Sequence, residues 1–165
     1  MVGAEVRSAA VLAASDSFKT AMRPGSNVAL MTPLPRIDLI GLVVSDMAAS
    51  LAFYRRLGLD VPLEADGAPH GEVTLPGGLR LAWDTVETVR SFDPDWTPPV
   101  GGHRTALAFA CADPAEVDAT YATIVAAGHA GHKAPWNAAW GMRYAVLHDP
   151  DGNAVDLFAE LGPVR

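Results

Sequence analysis

Between Arg36 and Leu161 the apolar and polar positions change period several times, and the changes come twice in the same order. The segments "VVSDMAASLAFYRRLG" and "ACADPAEVDATYATIVAAG" each run from a strand-like apolar stretch, through an aspartate, into residues with helical spacing. Asp46 precedes Tyr54 by eight residues, and Asp113 precedes Tyr121 by the same eight. An aspartate at such a boundary accepts a backbone N–H that the first helical turn leaves unpaired, so both are predicted N-caps. The second start is the stronger one: Asp113-Pro114-Ala115-Glu116 joins the cap to a proline at the first helical position and a capping-box glutamate. Gly58 and Gly128 suit left-handed C-caps. Short strand-like runs follow each helix, around 61–64, 71–75 and 79–84 in the first half and 131–134, 142–148 and 153–159 in the second. The pattern is βαβββ twice, an α+β arrangement with mainly antiparallel sheets. Module 1 covers about 35–95 and module 2 about 102–161, joined by the proline-rich "SFDPDWTPPVGG".

Residues 1–34 lack this periodicity: a short candidate helix around Ala4–Thr20 is followed by a Pro/Gly/Ser/Asn-rich stretch. They are expected to be an extension produced by a start codon upstream of Met31, with an arm covering a partner subunit as the competing reading.

Strand alternation divides the second half into faces. Taking "DPDG" (149–152) as a four-residue hairpin loop pairs His148 with Asn153, Ala145 with Asp156 and Arg143 with Phe158. One face then carries Arg143, Ala145, Leu147, Ala154, Asp156 and Phe158, and the other Tyr144, Val146, Val155 and Leu157. By the same alternation Arg104, Ala106, Ala108 and Ala110 oppose Leu107, Phe109 and Cys111, while Arg80, Ala82 and Asp84 oppose Leu81 and Trp83. The face assigned to a cavity is alanine plus a few charges, which suits a ligand pocket. Alanines that let two modules pack closely are the plain alternative. Arg143 and Asp156 become diagonal neighbours, read either as a structural ion pair or as a ligand-binding pair with Asp156 as acceptor or general base. Trp136 and Trp140, in a loop entering the Arg143 strand, are either a loop anchor or a wall that stacks a planar ligand. Phe92 and Trp96 are expected to pack or to form an interface.

The chain has 165 residues, a net charge of −7 and one cysteine. The acidic balance argues against nucleic-acid or anionic-membrane binding, because both need a basic footprint. No apolar run reaches the roughly 20 residues of a spanning helix, so a cytoplasmic protein is expected. Cys111 cannot form an intrachain disulfide and reads as a buried small hydrophobe. His129 and His132 are expected on a surface loop, His103 at a rim, and His148 at a strand end on the helix side; His70 falls in a turn-like segment. Asp149, Asp151, Asn153 and Glu160 match part of an EF-hand loop. However, the glycine is misplaced, Pro150 stiffens the second position and strands flank the turn, so calcium is not expected.

The segments "IDLIGLVVSDMAASLAFYRRLGLDV", "RTALAFACADPAEVDATYATIVAAG" and "WGMRYAVLHDPDGNAVDLFAE" together resemble the vicinal oxygen chelate superfamily of glyoxalases, bleomycin-resistance proteins and extradiol dioxygenases. The resemblance spans Pro35–Leu161. It implies two βαβββ modules forming a cupped sheet around a cavity, in homodimers, with metal ligands on four inward strand positions. Carried over, these fall at Leu39, Ala106, near Ala82, and at Asp156. Only Asp156 can bind a metal, and one carboxylate cannot hold a divalent ion that needs three or four ligands. The expectation is therefore a metal-independent, cofactor-free protein that binds a small organic ligand or drug in the cup, as in antibiotic resistance. Leu39, Arg80, Ala82, Arg104, Ala106, Ala108, Trp136, Trp140, Arg143, Asp156 and Phe158 are expected to line the cup. The alternatives are a lyase, isomerase or dioxygenase using Asp156 as base or metal ligand, and a structural or partner-binding dimer.

Overall fold

The computed structural model describes residues 35–102 and 104–162. The expectations for residues 1–34 and for His103 lie outside the described residues. From Arg36 on, the chain forms one compact unit. In order its elements are β1 (Leu39–Val44), α1 (Met47–Arg56), a 3-10 turn (Leu63–Gly67), β2 (His70–Thr74), β3 (Arg80–Thr85), α2 (Val86–Phe92), β4 (Ala106–Ala110), α3 (Pro114–Ala126), β5 (Ala130–Asn137), β6 (Met142–His148) and β7 (Ala154–Glu160). The strands form a three-stranded sheet of order β1-β3-β2 and a four-stranded sheet of order β4-β7-β6-β5. In each sheet the first strand of the module pairs in parallel with the last, and the other pairings are antiparallel.

Both helix starts are capped as expected. The Asp46 carboxylate accepts from the Ala49 amide at 2.9 Å and the Asp113 carboxylate from the Glu116 amide at 2.8 Å, while the Glu116 side chain reaches back to the Ala112 amide. Gly58 and Gly128 end α1 and α3 at φ 86° and 93°, a region that glycine enters without steric cost.

Three expectations need correction. The strand expected at 61–64 is replaced by the 3-10 turn, because Pro62 leads into it and "LEADG" turns where a strand would extend. Residues at the start of the expected linker are helical: Thr85 caps α2 by accepting from the Thr88 amide at 3.2 Å, and Phe92 ends that helix 61% exposed. The strand expected at 131–134 runs on to Asn137, interrupted by register shifts, so Trp136 belongs to β5 and only Trp140 to the following turn.

The core lies where α1 and α3 cover one side of each sheet. Leu51, Phe53 and Tyr54 of α1 pack with Val44, Leu81 and Trp83, and Val117 and Ile124 of α3 join Ala145, Leu147, Val155 and Leu157. Each fully buried leucine or valine here contributes roughly 1.5–3 kcal/mol through apolar area removed from water.

A buried carboxylate in the β6–β7 turn joins the two modules. Asp149, 4% exposed, accepts from the Tyr54 hydroxyl at 2.8 Å, from the amides of Asp151 and Asn153, and from the Asn153 side-chain amide. The next carboxylate of the turn, Asp151, accepts from the Ser45 amide and hydroxyl at 2.8 and 2.6 Å. One short turn of module 2 is thus bound to the β1–α1 junction of module 1. Burial and the adjoining Asp149 carboxylate push the Tyr54 phenol pKa up, which keeps it a donor.

Candidate functional site

The register across the β6–β7 turn decides which side chains share a face. His148 pairs with Ala154, Val146 with Asp156, Tyr144 with Phe158 and Arg143 with Ala159. The connection is therefore five residues long, Asp149–Asn153, closed by the Asp149 amide donating to the Asn153 carbonyl at 3.0 Å. The four-residue loop expected from "DPDG" is one residue too short. Because side chains alternate with period two, that slip exchanges the faces of β6 relative to β7.

Arg143, Ala145 and Leu147 consequently lie on the helix side with Val155, Leu157 and Ala159. The helix-free side carries Tyr144, Val146 and His148 with Ala154, Asp156 and Phe158. Arg143 does not pair with Asp156. Its guanidinium donates to Asp118 of α3 at 2.8 and 3.0 Å and to the Asn137 side chain at 3.0 Å, which makes it a structural clamp and removes it from the expected ligand set. Tyr144, expected under the helices, lies on the helix-free face, a position that the register slip concealed.

Cross-strand partners arrange the helix-free face in three rows. Trp136, Tyr144, Phe158 and Ala110 make the first, Lys133, Val146, Asp156 and Ala108 the second, and Ala130, His148, Ala154 and Ala106 the third. The first row is aromatic and extends to Trp140 in the β5–β6 turn. Ring centroids of Trp136, Trp140 and Tyr144 lie 5.3–6.4 Å apart at steep mutual angles, and Phe158 stacks on Tyr144 at 6.3 Å. Trp140 is 64% exposed, so the cluster opens outward. In the second row the Lys133 ammonium sits 3.7 Å above the Trp136 ring. Asp156 accepts from the Tyr144 hydroxyl at 2.6 Å. Burial first, then Asp156, pushes the Tyr144 phenol up to about 12. In the third row His148 stacks on His132 at 4.4 Å, which corrects the expected helix-side position of His148 and brings His132 out of a loop onto β5. His129, at the C-terminal end of α3, packs edge-on against Phe53 and has its pKa lowered by burial and by Arg56.

A recess of about 610 Å³ adjoins the third row, where β1 and β4 approach each other. Ile40, Gly41, Pro99, Arg104, Ala106 and Ala154 are among its lining residues, and the small side chains at 41, 106 and 154 leave its volume open. Ala106 and Ala108 are exposed, as a wall position requires.

The corresponding face of the first sheet is different. Leu39 pairs with Arg80 and Gly41 with Ala82, and Ala82 is buried. The Arg80 guanidinium donates to Glu72 at 3.0 Å and to Asp38 at 2.9 Å, and the bond to Asp38 raises its pKa. His70 lies on β2, 2.8 Å from Asp84 and 3.5 Å from Glu72. The expected cup residues therefore separate into groups. Trp136, Trp140, Asp156 and Phe158 converge with Tyr144; Arg104, Ala106 and Ala108 border the seam between the sheets; Leu39, Arg80 and Ala82 occupy the ion-paired face.

Residues 36–157 match the Glyoxalase/Bleomycin resistance protein/Dioxygenase superfamily. The chain belongs to this superfamily. A structure described as a glyoxalase/bleomycin resistance protein/dioxygenase family enzyme, from Burkholderia phytofirmans PsJN, is 20% identical, with TM-score 0.66 over 77% of this chain and 100% of that one. A glyoxalase/bleomycin resistance protein/dioxygenase from Nocardioides is 24% identical, with TM-score 0.63 over 82% and 90% of the two chains. A lactoylglutathione lyase from Agrobacterium tumefaciens is 23% identical, with TM-score 0.56 over 77% and 95%. At these identities the likeness is one of fold. No curated protein matches the sequence.

The glyoxalase/bleomycin-resistance resemblance implies a divalent metal, and the residues do not fit one. Leu39, Ala82 and Ala106 offer hydrocarbon where ligands are needed, and Asp156 is already bonded to Tyr144. Among the described residues, no group of three or more His, Cys, Asp or Glu side chains could hold an ion. Nor is any helix among the described residues long and apolar enough to cross a membrane.

Proposed function

We propose that this glyoxalase/bleomycin-resistance-type chain binds a small organic molecule without a resident metal. The site is the aromatic row around Tyr144 and Asp156, continuing across the alanines to the recess at Arg104. The observation that carries this reading is one of replacement. Three of the four ligand positions implied by the resemblance hold hydrocarbon, and the fourth, Asp156, lies one row from the aromatic cluster and is held by the Tyr144 hydroxyl. Flat rings and small side chains around a few polar atoms suit a partly planar organic ligand.

Binding would stabilise the fold by mass action. A thermal-shift screen of small organic compounds is expected to find ligands whose stabilisation disappears in Trp136→Ala. Purified protein carrying one divalent ion per chain, lost in Asp156→Ala, would overturn the metal-free reading. The homodimer implied by the resemblance and a cytoplasmic location belong to the same proposal; sedimentation equilibrium tests the first and cell fractionation the second.

A second reading, a lyase or isomerase, is favoured by one feature. The Tyr144–Asp156 pair places a proton donor and a carboxylate together on the open face, the arrangement general acid–base chemistry uses. Turnover abolished by Asp156→Asn while ligand binding persists would establish it.

A further inference from the structure

The identity of the ligand turns on charge, and the arginines of the two sheets point two ways until their partners are known. Arg143 and Arg80 would attract anions if they were available, but the first is held by Asp118 and Asn137 and the second by Asp38 and Glu72. Neither lies on the aromatic row. Arg104 lies beyond the third row, at the recess, so what stands beside the aromatic row is the Asp156 carboxylate, the faces of Trp136 and Tyr144, and Lys133, in a chain of net charge −7. Aromatic faces and a carboxylate attract the same sign of charge.

The protein already holds a positive group on this surface. The Lys133 ammonium lies 3.7 Å from the centroid of Trp136, at cation–π distance. Lys133 and Asp156 share a cross-strand row with Val146 between them, so their backbones are two strand spacings apart, roughly 10 Å. Tyr144 bridges the gap, its ring 5.3 Å from that of Trp136 and its hydroxyl 2.6 Å from Asp156, so a small organic cation resting on both rings approaches the carboxylate. Lys133 is exposed on the edge strand β5, and its four-carbon stem can swing into water at little cost.

We propose that Trp136, Tyr144 and Asp156 form a subsite for an organic ammonium cation, and that Lys133 is an intramolecular stand-in that the ligand displaces. The inference rests on the small-molecule reading above. Lys133 then competes with the ligand. A lysine that instead paired with an anionic ligand would assist it, so the sign of a single substitution separates the two cases.

The test uses the full chain, tryptophan fluorescence, and three probes: choline, its uncharged isostere 3,3-dimethylbutan-1-ol, and benzoate. Choline is expected to give a saturable signal with Kd at least about tenfold below that of the isostere, the range of a desolvated cation–π contact. Lys133→Met is expected to tighten choline binding about threefold, the range of an exposed one. Asp156→Asn is expected to weaken choline binding by at least about threefold through loss of a nearby opposite charge. Lys133→Met alters an exposed side chain, so it remains decisive even if Asp156→Asn folds poorly. Unchanged or weaker choline binding in Lys133→Met overturns the proposal, as does equal binding of the isostere. Benzoate binding that is weakened by Lys133→Met overturns it in favour of an anion site and leaves the small-molecule reading intact. Failure of choline to bind while the compound screen yields neutral ligands also overturns the cation subsite alone.

Discussion

The two sheets bury the same kind of surface on their helix side and differ on the other. Leu81 and Trp83 in the first sheet, and Leu147, Val155 and Leu157 in the second, close a single core under α1 and α3. On the helix-free side, the first sheet carries side chains that satisfy one another: Arg80 with Glu72 and Asp38, and His70 with Asp84. The second sheet presents rings, alanines, a stacked histidine pair, Lys133 and one carboxylate, with hydrogen-bonded side-chain pairing among the described residues of this face confined to Tyr144 and Asp156. A face whose charges are mutually paired has little left to offer a ligand, because breaking a pair costs what a new contact returns. The repeated pattern therefore builds the core, and the unrepeated face carries the candidate site.

The largest effect is expected where the two halves are joined. Asp149→Ala leaves the Tyr54 hydroxyl and the amides of Asp151 and Asn153 without their acceptor, which should cost about 2–4 kcal/mol of stability. Thermal unfolding should still be one transition, seen alike by Trp83 in the first module and Trp136 in the second. Two separate transitions would mean that the modules are independent. Next comes the contrast between the faces. Trp136→Ala should weaken the best screened ligand at least about tenfold, whereas Arg80→Ala should leave its Kd within about twofold. A ligand lost with Arg80 would place the site on the first sheet and reverse the comparison. Arg143→Met, which removes a half-exposed ion pair with Asp118, should cost about 0.5–1 kcal/mol and leave ligand affinity unchanged. The smallest effect is a titration. Tyr144 ionises near pH 12 in the folded protein against 10.0 when unfolded, so the folded state holds its proton more tightly. Its contribution to stability is complete below pH 10 and is lost as pH rises through 12. Absorbance titration of phenolate should show Tyr144→Phe removing a late-ionising group, and Asp156→Asn should lower that group's midpoint.

Much of the fold was legible because local chemistry agrees with it. Asp46 and Asp113 announce both helices, and the alternation along Arg80–Thr85 and Ala106–Ala110 assigns faces that the packing keeps. Helix α2 was hidden because "VETVRSF" has only two turns and follows a strand without a glycine or proline break; Thr85 with Thr88 was its one available signal. The candidate site was legible in part. Asp156, Trp136, Trp140 and Phe158 were visible as residue types on the right strands, whereas Tyr144 and Arg143 exchanged places. The cause was a single loop residue. "DPDG" reads as a four-residue turn, but Asp149 forms its contacts with Asn153 included in the loop, and no rule of local propensity reports where Tyr54 will place its hydroxyl.

That five-residue loop also limits how this chain can change length. Inserting or deleting one residue between His148 and Ala154 while the loop keeps its five-residue form would slip β7 by one register position, moving Leu157 onto the open face and Asp156 into the core. A change of two residues preserves the faces but strips Asp149 of its partners in the loop. Length variation that leaves the faces of every strand intact is therefore expected at the other end of β6, in the turn between Asn137 and Met142, where residues 139–141 are exposed. There an added residue alters the position of Trp140 and leaves the orientation of every strand as it was.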